Sequence, residues 1–243
     1  MNMSRQRGSA IIMIFVAVAL FGLLSFAFLR GSNTSTALMS DEQTKIYAQK
    51  IIAYGNDMRS AVKRLQLRGC QDKEFSFANK VVKSHGGNPG NPEGHNPKAP
   101  ASGICDLFKP EGAAMKIENM PDTVTEPWPG IESANSARGS IRFFRSTVPN
   151  MGNPDKEEIV LAIPYLNLEV CKKINDLLGI PNPSGNIPKA TNSMLTYNGV
   201  FTDNGTNYIN DDELTFTGKE AFCIRHPTGQ PWDSFYIHVL LIR

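Results

Sequence analysis

The chain has 243 residues, of which 41% are apolar and 20% charged, a globular balance that excludes wholesale disorder. Its 25 basic and 23 acidic residues leave a net charge of +2, too little for a nucleic-acid partner, and no long Lys/Arg run stands out. The length allows one large domain or two small ones once an apolar segment is set aside.

Residues 1–8 are short and basic, carrying Arg5 and Arg7. Ser9 to Leu29 then runs for 21 positions without a charge. As a helix this would span roughly 31 Å, enough to cross a bilayer core. The expectation is a transmembrane helix over 9–30 with the N-terminus cytoplasmic. The run is too long for an ordinary cleaved secretory signal, and 31–33 lacks an Ala-x-Ala pattern.

A second helical pattern covers 31–69, with Thr34 or Ser35 as its cap. Tyr47, Ile51, Tyr54, Met58, Val62 and Leu65 recur at spacings of 4, 3, 4, 4 and 3, one stripe of an amphipathic helix. Asp41 and Lys45 form a favourable pair, Arg64 and Arg68 suit the helix end, and Gly69 stops it. Together 9–68 read as one nearly continuous helix of about 90 Å.

The remainder, 70–243, reads as an extracytoplasmic head. Residues 84–103 are crowded with Gly, Pro and Asn and predict an exposed loop. Strands are expected at 140–148, 158–163, 195–202, 213–217, 221–225 and 234–242, and a short helix at 166–178. The strand at 234–242 is apolar on both faces, as suits a central strand. A long helix first and antiparallel strands later predict an α+β class.

Cys70, Cys105, Cys171 and Cys223 all lie beyond the apolar run, with no C-x-x-C pair and no His at zinc spacing. They read as two disulfides, the alternative being buried thiols. Local pairing, Cys70 with Cys105 and Cys171 with Cys223, would tie the irregular loop to the long helix and the short helix to a late strand.

No catalytic motif is visible, and His85, His95, His226 and His238 are scattered, so a non-enzymatic role is expected. Asp203, Asn204, Asn207, Asp211, Asp212 and Glu213 crowd one loop. Hard oxygen donors at that density can hold calcium, although the spacing matches no EF-hand and a solvated turn is the simpler reading. Trp128 and Trp232 offer a ligand surface or core packing.

The stretch RQRGSAIIMIFVAVALFGLLSFAFLRGS resembles a class III prepilin leader, and the resemblance covers roughly residues 5–68. It implies a type IV pilin or pseudopilin: cleavage after Gly8 by a prepilin peptidase, a methylated N-terminus at Ser9, and an apolar helix that contacts sister subunits. It also implies a head that packs this helix on an antiparallel sheet. The expected location is the bacterial inner membrane, single-pass with a periplasmic head, and on assembly a filament. Some pseudopilins bind calcium in a loop of the C-terminal sheet, which is what the resemblance adds to the acidic loop.

Two positions depart from the family pattern. Ser9 stands where Phe or Met is usual, and Met13 where a Glu is usual. The missing Glu is similar to minor, tip-located pseudopilins of type II secretion systems. In the family that carboxylate is paired with the N-terminal amine of the preceding subunit, and an unpaired charge in hydrocarbon costs about 2.5–3.5 kcal/mol. With Met13 the chain cannot neutralise a predecessor, which implies a subunit that initiates or caps a filament. The alternative is a signal-anchored binding protein that enters no filament.

Overall fold

The computed structural model describes residues 14, 16–18, 20, 39–79, 94–126, 139–226 and 234–243. The chain divides into two compact units, 1–39 and 40–243. In the first, Ile14, Val16, Ala17, Val18 and Leu20 are helical and exposed. Gly8, Ser9 and Met13 lie outside the described residues, as do His85, Trp128, Trp232 and the 84–93 half of the predicted loop.

The second unit opens with α1 (Asp41–Leu67), and its start corrects the expected continuous helix. Ser40 is extended at φ −60°, ψ 152°. Its Oγ accepts from the Gln43 N–H and its own N–H donates to Gln43 Oε1, each at 3.2 Å. This capping box satisfies the orphan amides of the first turn and separates α1 from what precedes it. The expected pilin-like α+β architecture, led by one helix over 9–68, is therefore replaced by a unit organised around a five-stranded antiparallel sheet with a smaller helical part.

The membrane expectation is corrected as well. Among the described residues no helix is long and apolar enough to cross a membrane, so the single-pass inner-membrane anchor over 9–30, with cytoplasmic N-terminus and periplasmic head, is not supported. A span needs about 20 predominantly apolar residues. The 27-residue α1 instead carries charges along its length, and the second helix has only 11 residues.

The sheet comprises β1 (Arg142–Ser146), β2 (Glu158–Pro164), β3 (Leu195–Thr196), β4 (Ala221–Arg225) and β5 (Ser234–Leu241), in the order β3-β1-β2-β5-β4. Helix α2 (Leu168–Leu178) follows β2; Asn167 caps it by accepting from the Glu169 N–H at 2.9 Å, and Gly179 ends it in the left-handed region at φ 65°.

Both faces of the sheet are covered. On one face Leu161 is opposite His238, and Ile163 and Cys223 are opposite Tyr236; α1 and α2 pack there. On the other, Val160, Ala162, Phe222, Ile224, Ile237 and Val239 meet Ile180, Ala190, Ile209 and Phe216 from the long connection between α2 and β4. The Phe216 and Phe222 rings stack at 4.3 Å between centroids. Full burial of such side chains contributes about 1.5–3 kcal/mol each. That double cover explains why β2 is buried at every position.

The buried stripe of α1 runs Thr44, Ala48, Ile51, Gly55, Met58, Val62, Leu65, with Ala61 beside it. The larger Tyr47 and Tyr54 sit at its margin. Small residues mark the line of closest approach to the sheet.

The described half of the 84–103 segment is irregular and half of its residues are exposed, but it is anchored at a few buried positions. Gly94 and Asn96 are buried, and the Asn96 Nδ2 donates to the carbonyls of Lys73 and Phe75, both at 2.7 Å. One amide satisfies two inward carbonyls, which pins the segment under the end of α1.

Candidate functional site

Two disulfides are present, Cys70–Cys105 and Cys171–Cys223, with Cα separations of 5.7 and 5.4 Å. The first ties the end of α1 to the segment after Gly103. The second joins α2 to β4 at fully buried positions. Beside it the Asn175 amide donates to the Cys223 carbonyl at 3.0 Å and accepts from the Cys223 N–H at 2.8 Å. Asn175 thus pairs with β4 as a neighbouring strand would.

The acidic loop lies at the end of β1 and β2 and has become part of a buried polar network. Glu157, 1% exposed, accepts from Arg145 at 2.6 Å, from the Thr202 N–H at 2.9 Å and from Asn207 Nδ2 at 2.5 Å. Arg145 also donates to Thr202 Oγ1. Arg243 closes the same corner. Its guanidinium lies 3.6 Å from the Phe201 ring centre, grips Asp203 at 2.9 and 3.1 Å, and reaches Asp72 at 3.2 Å. Burial works to raise the Asp203 carboxyl, but its bonds to Arg243 and to the Glu157 N–H outweigh that and leave it below its usual value.

The remaining acids are occupied too. Asp211 accepts from the N–H groups of Thr215, Phe216 and Thr217 at 2.9, 2.7 and 2.7 Å. Asp212 accepts from Thr191 and Asn210, and Glu213 from the Lys189 N–H. The candidate calcium ligands Asp203, Asn207, Asp211 and Asp212 therefore spend oxygens or amide groups on protein partners. Among the described residues no group of three or more His, Cys, Asp or Glu is placed to hold a metal.

Next to this corner Glu158 is buried, accepting from the Val148 N–H at 2.9 Å through one oxygen while the other has no partner. Burial pushes its carboxyl up to about 7. A second polar island lies beneath α1. Tyr236 Oη and His238 Nδ1 are 2.8 Å apart, both side chains are buried, and His238 Nε2 has no partner. Burial, and then the charge of Arg59, push His238 down to about 4. Arg59 itself pairs with Glu220.

Of the four histidines, His238 alone is deeply buried among those described; His95 is exposed and His226 half-buried. Arg145, Glu157, Arg243 and Gly55 escape a motif-based reading. The signal available in sequence was Gly55, a helix-weakening residue inside an otherwise good helix, which marks a close approach. The two networks brace loop to sheet and helix to sheet. No family model matches the sequence, and no curated protein or solved structure matches it either.

Proposed function

We propose that the chain is a minor pilin- or pseudopilin-type subunit, a non-enzymatic building block that initiates or caps a filament. The observation that carries this reading is the first unit: Ile14, Val16, Val18 and Leu20 are helical, yet 63, 52, 65 and 56% exposed. These residues are not confined to one helical face, and an apolar surface of that kind calls for cover on every side. Sister helices in a filament core provide it. The prepilin-like leader supports the same reading, with cleavage between Gly8 and Ser9, and Met13 in place of the usual Glu places the subunit first in line. Two disulfides suit a head that matures in an oxidising compartment.

The test is co-assembly. Filaments sheared from cells producing the full chain should contain it in few copies, with an intact mass that begins at Ser9. The double change Ile14→Asp and Val18→Asp should abolish incorporation while leaving the unfolding midpoint of the head unchanged. A stoichiometry equal to the main shaft subunit would overturn the capping role. Absence from filaments, with all eight leader residues retained, would overturn the class.

A further inference from the structure

The sequence holds two Asn-Gly dipeptides, Asn198-Gly199 and Asn204-Gly205, on either side of the loop that carries Thr202 and Asp203. Both asparagines are exposed. Glycine has no side chain to shield its amide nitrogen, so in such a pair that nitrogen can reach the preceding side-chain carbonyl. The two sites differ in what the fold permits.

At the first, Gly199 is buried at φ 78°, and a Cβ there would meet the Asn96 amide at 2.3–2.7 Å. Asn96 is itself fixed by Lys73, Phe75 and the Lys98 N–H. Asn198 Oδ1 also accepts from the Val200 N–H at 3.3 Å, but Gly199 packs directly against the fixed Asn96 amide, which restrains its backbone. At the second, Gly205 is exposed, and a Cβ would meet nothing within 4 Å. Asn204 Oδ1 accepts from the Thr206 N–H at 3.2 Å and the Thr206 hydroxyl at 2.6 Å. Those donors face the oxygen on which negative charge would develop if the Asn204 Cγ were attacked.

We propose that Asn204 is a site of spontaneous, self-catalysed deamidation, and that the fold protects Asn198 from the same reaction. The Gly205 amide gives up its proton to water or hydroxide and its nitrogen bonds to Asn204 Cγ. The resulting oxyanion is held by Thr206. Nδ2 then leaves, taking a proton from water to depart as ammonia, and a succinimide remains. Water opens that ring at either carbonyl, giving an aspartyl or an isoaspartyl linkage at 204. No oxidant, metal or second protein takes part. Either product adds a negative charge beside the Asp203–Arg243 pair, and the isoaspartyl form adds a methylene to the backbone of the loop that reaches Glu157.

Incubation of the full, disulfide-intact chain at neutral pH, followed by peptide mapping with electron-transfer fragmentation, tests this. Native protein should accumulate the product at Asn204 at least about tenfold faster than at Asn198, because the latter must first open locally. Reduced and unfolded chain should modify both sites at similar rates. Thr206→Ala should slow the native reaction at Asn204 without changing the rate in the unfolded chain. Equal native rates at the two sites, or an Asn204 that stays intact while Asn198 converts, would overturn the proposal.

Discussion

The Cα of Gly55 stands so close to His238 that a methyl group on it would lie 2.5 Å from the ring Nδ1 and 2.8 Å from the Tyr236 hydroxyl. Helix α1 rests on β5 through a glycine because nothing larger fits over that pair. Gly55→Ala should therefore destabilise the head by up to about 2 kcal/mol, an overpacking cost of about 1–3 kcal/mol being offset in part by the roughly 1 kcal/mol better helix propensity of alanine. A lower urea midpoint with an unchanged slope is the expected result, and a midpoint equal to or above the parent's would contradict it.

His238 and Glu158 impose opposite pH dependences in overlapping windows. His238 titrates at about 4 in the fold against 6.5 when free, so the neutral ring is favoured by folding. Stability is lost as pH falls from 6.5 toward 4, by an amount on the order of 2–3 kcal/mol. Glu158 titrates at about 7 in the fold against 4.5 when free. Its protonated form is favoured, and stability is lost as pH rises from 4.5 through 7, by a similar order of magnitude. The two slopes offset one another. Glu158→Gln should raise stability above pH 7 and expose a steep loss below 6.5, read from denaturation midpoints across pH. A variant profile parallel to the parent's would refute this account.

The disulfides close separations of 35 and 52 residues. In the chain-entropy picture each stabilises the head by about 4 kcal/mol. Replacing Cys171 and Cys223 together by Ser should cost at least that much, because it also leaves two hydroxyls in a site of 0% exposure. The Cys70/Cys105 double replacement should cost less, its sulfurs lying nearer the surface. Guanidinium melts of the two variants give the order directly.

Asp211 organises its turn alone, taking three successive backbone amides. Asp211→Ala strands donors that include the buried Phe216 N–H and should cost about 2–4 kcal/mol. Calcium or a chelator should leave the parent's melting temperature unchanged, since the loop oxygens are committed to protein donors. A calcium-dependent rise would show that the loop rearranges to take the ion.

These sites also show what the sequence could reveal. Helix α2 and strands β4 and β5 were legible because their patterns are uninterrupted: an apolar stripe that stops at Gly179 for the helix, whose cap Asn167 lay inside the expected 166–178, and unbroken β-rich runs for the strands. The segments 195–202 and 213–217 had strand composition but different fates. Leu195 and Thr196 are in register with β1 and the Tyr197 N–H donates to the Phe143 carbonyl at 3.0 Å, after which the chain turns away at Asn198-Gly199. In Glu213–Thr217 the alternating pattern was overridden by Asp211, whose side chain captures the amides a ladder would need. The start of α1 was misplaced because Thr34 and Ser35 satisfy the same rule as Ser40, and only Ser40 has a Gln at the reciprocating position. The polar corner stayed hidden because its members, from Asp72 to Arg243, are joined by side chains rather than by any local spacing.

The pairing of Asn175 with Cys223 has a consequence for how this molecule meets others. An outer strand normally presents open amides and carbonyls to which a foreign strand can zip. Here the outer margin of β4 is stoppered: Asn175 occupies the groups of Cys223, while the Pro188 carbonyl and Ala190 N–H occupy those of Arg225. A neighbouring chain arriving at this margin finds the ladder filled at Cys223 and Arg225. Any assembly across it has to be built from side chains, whose shape and charge discriminate between partners, rather than from backbone, which accepts almost any strand.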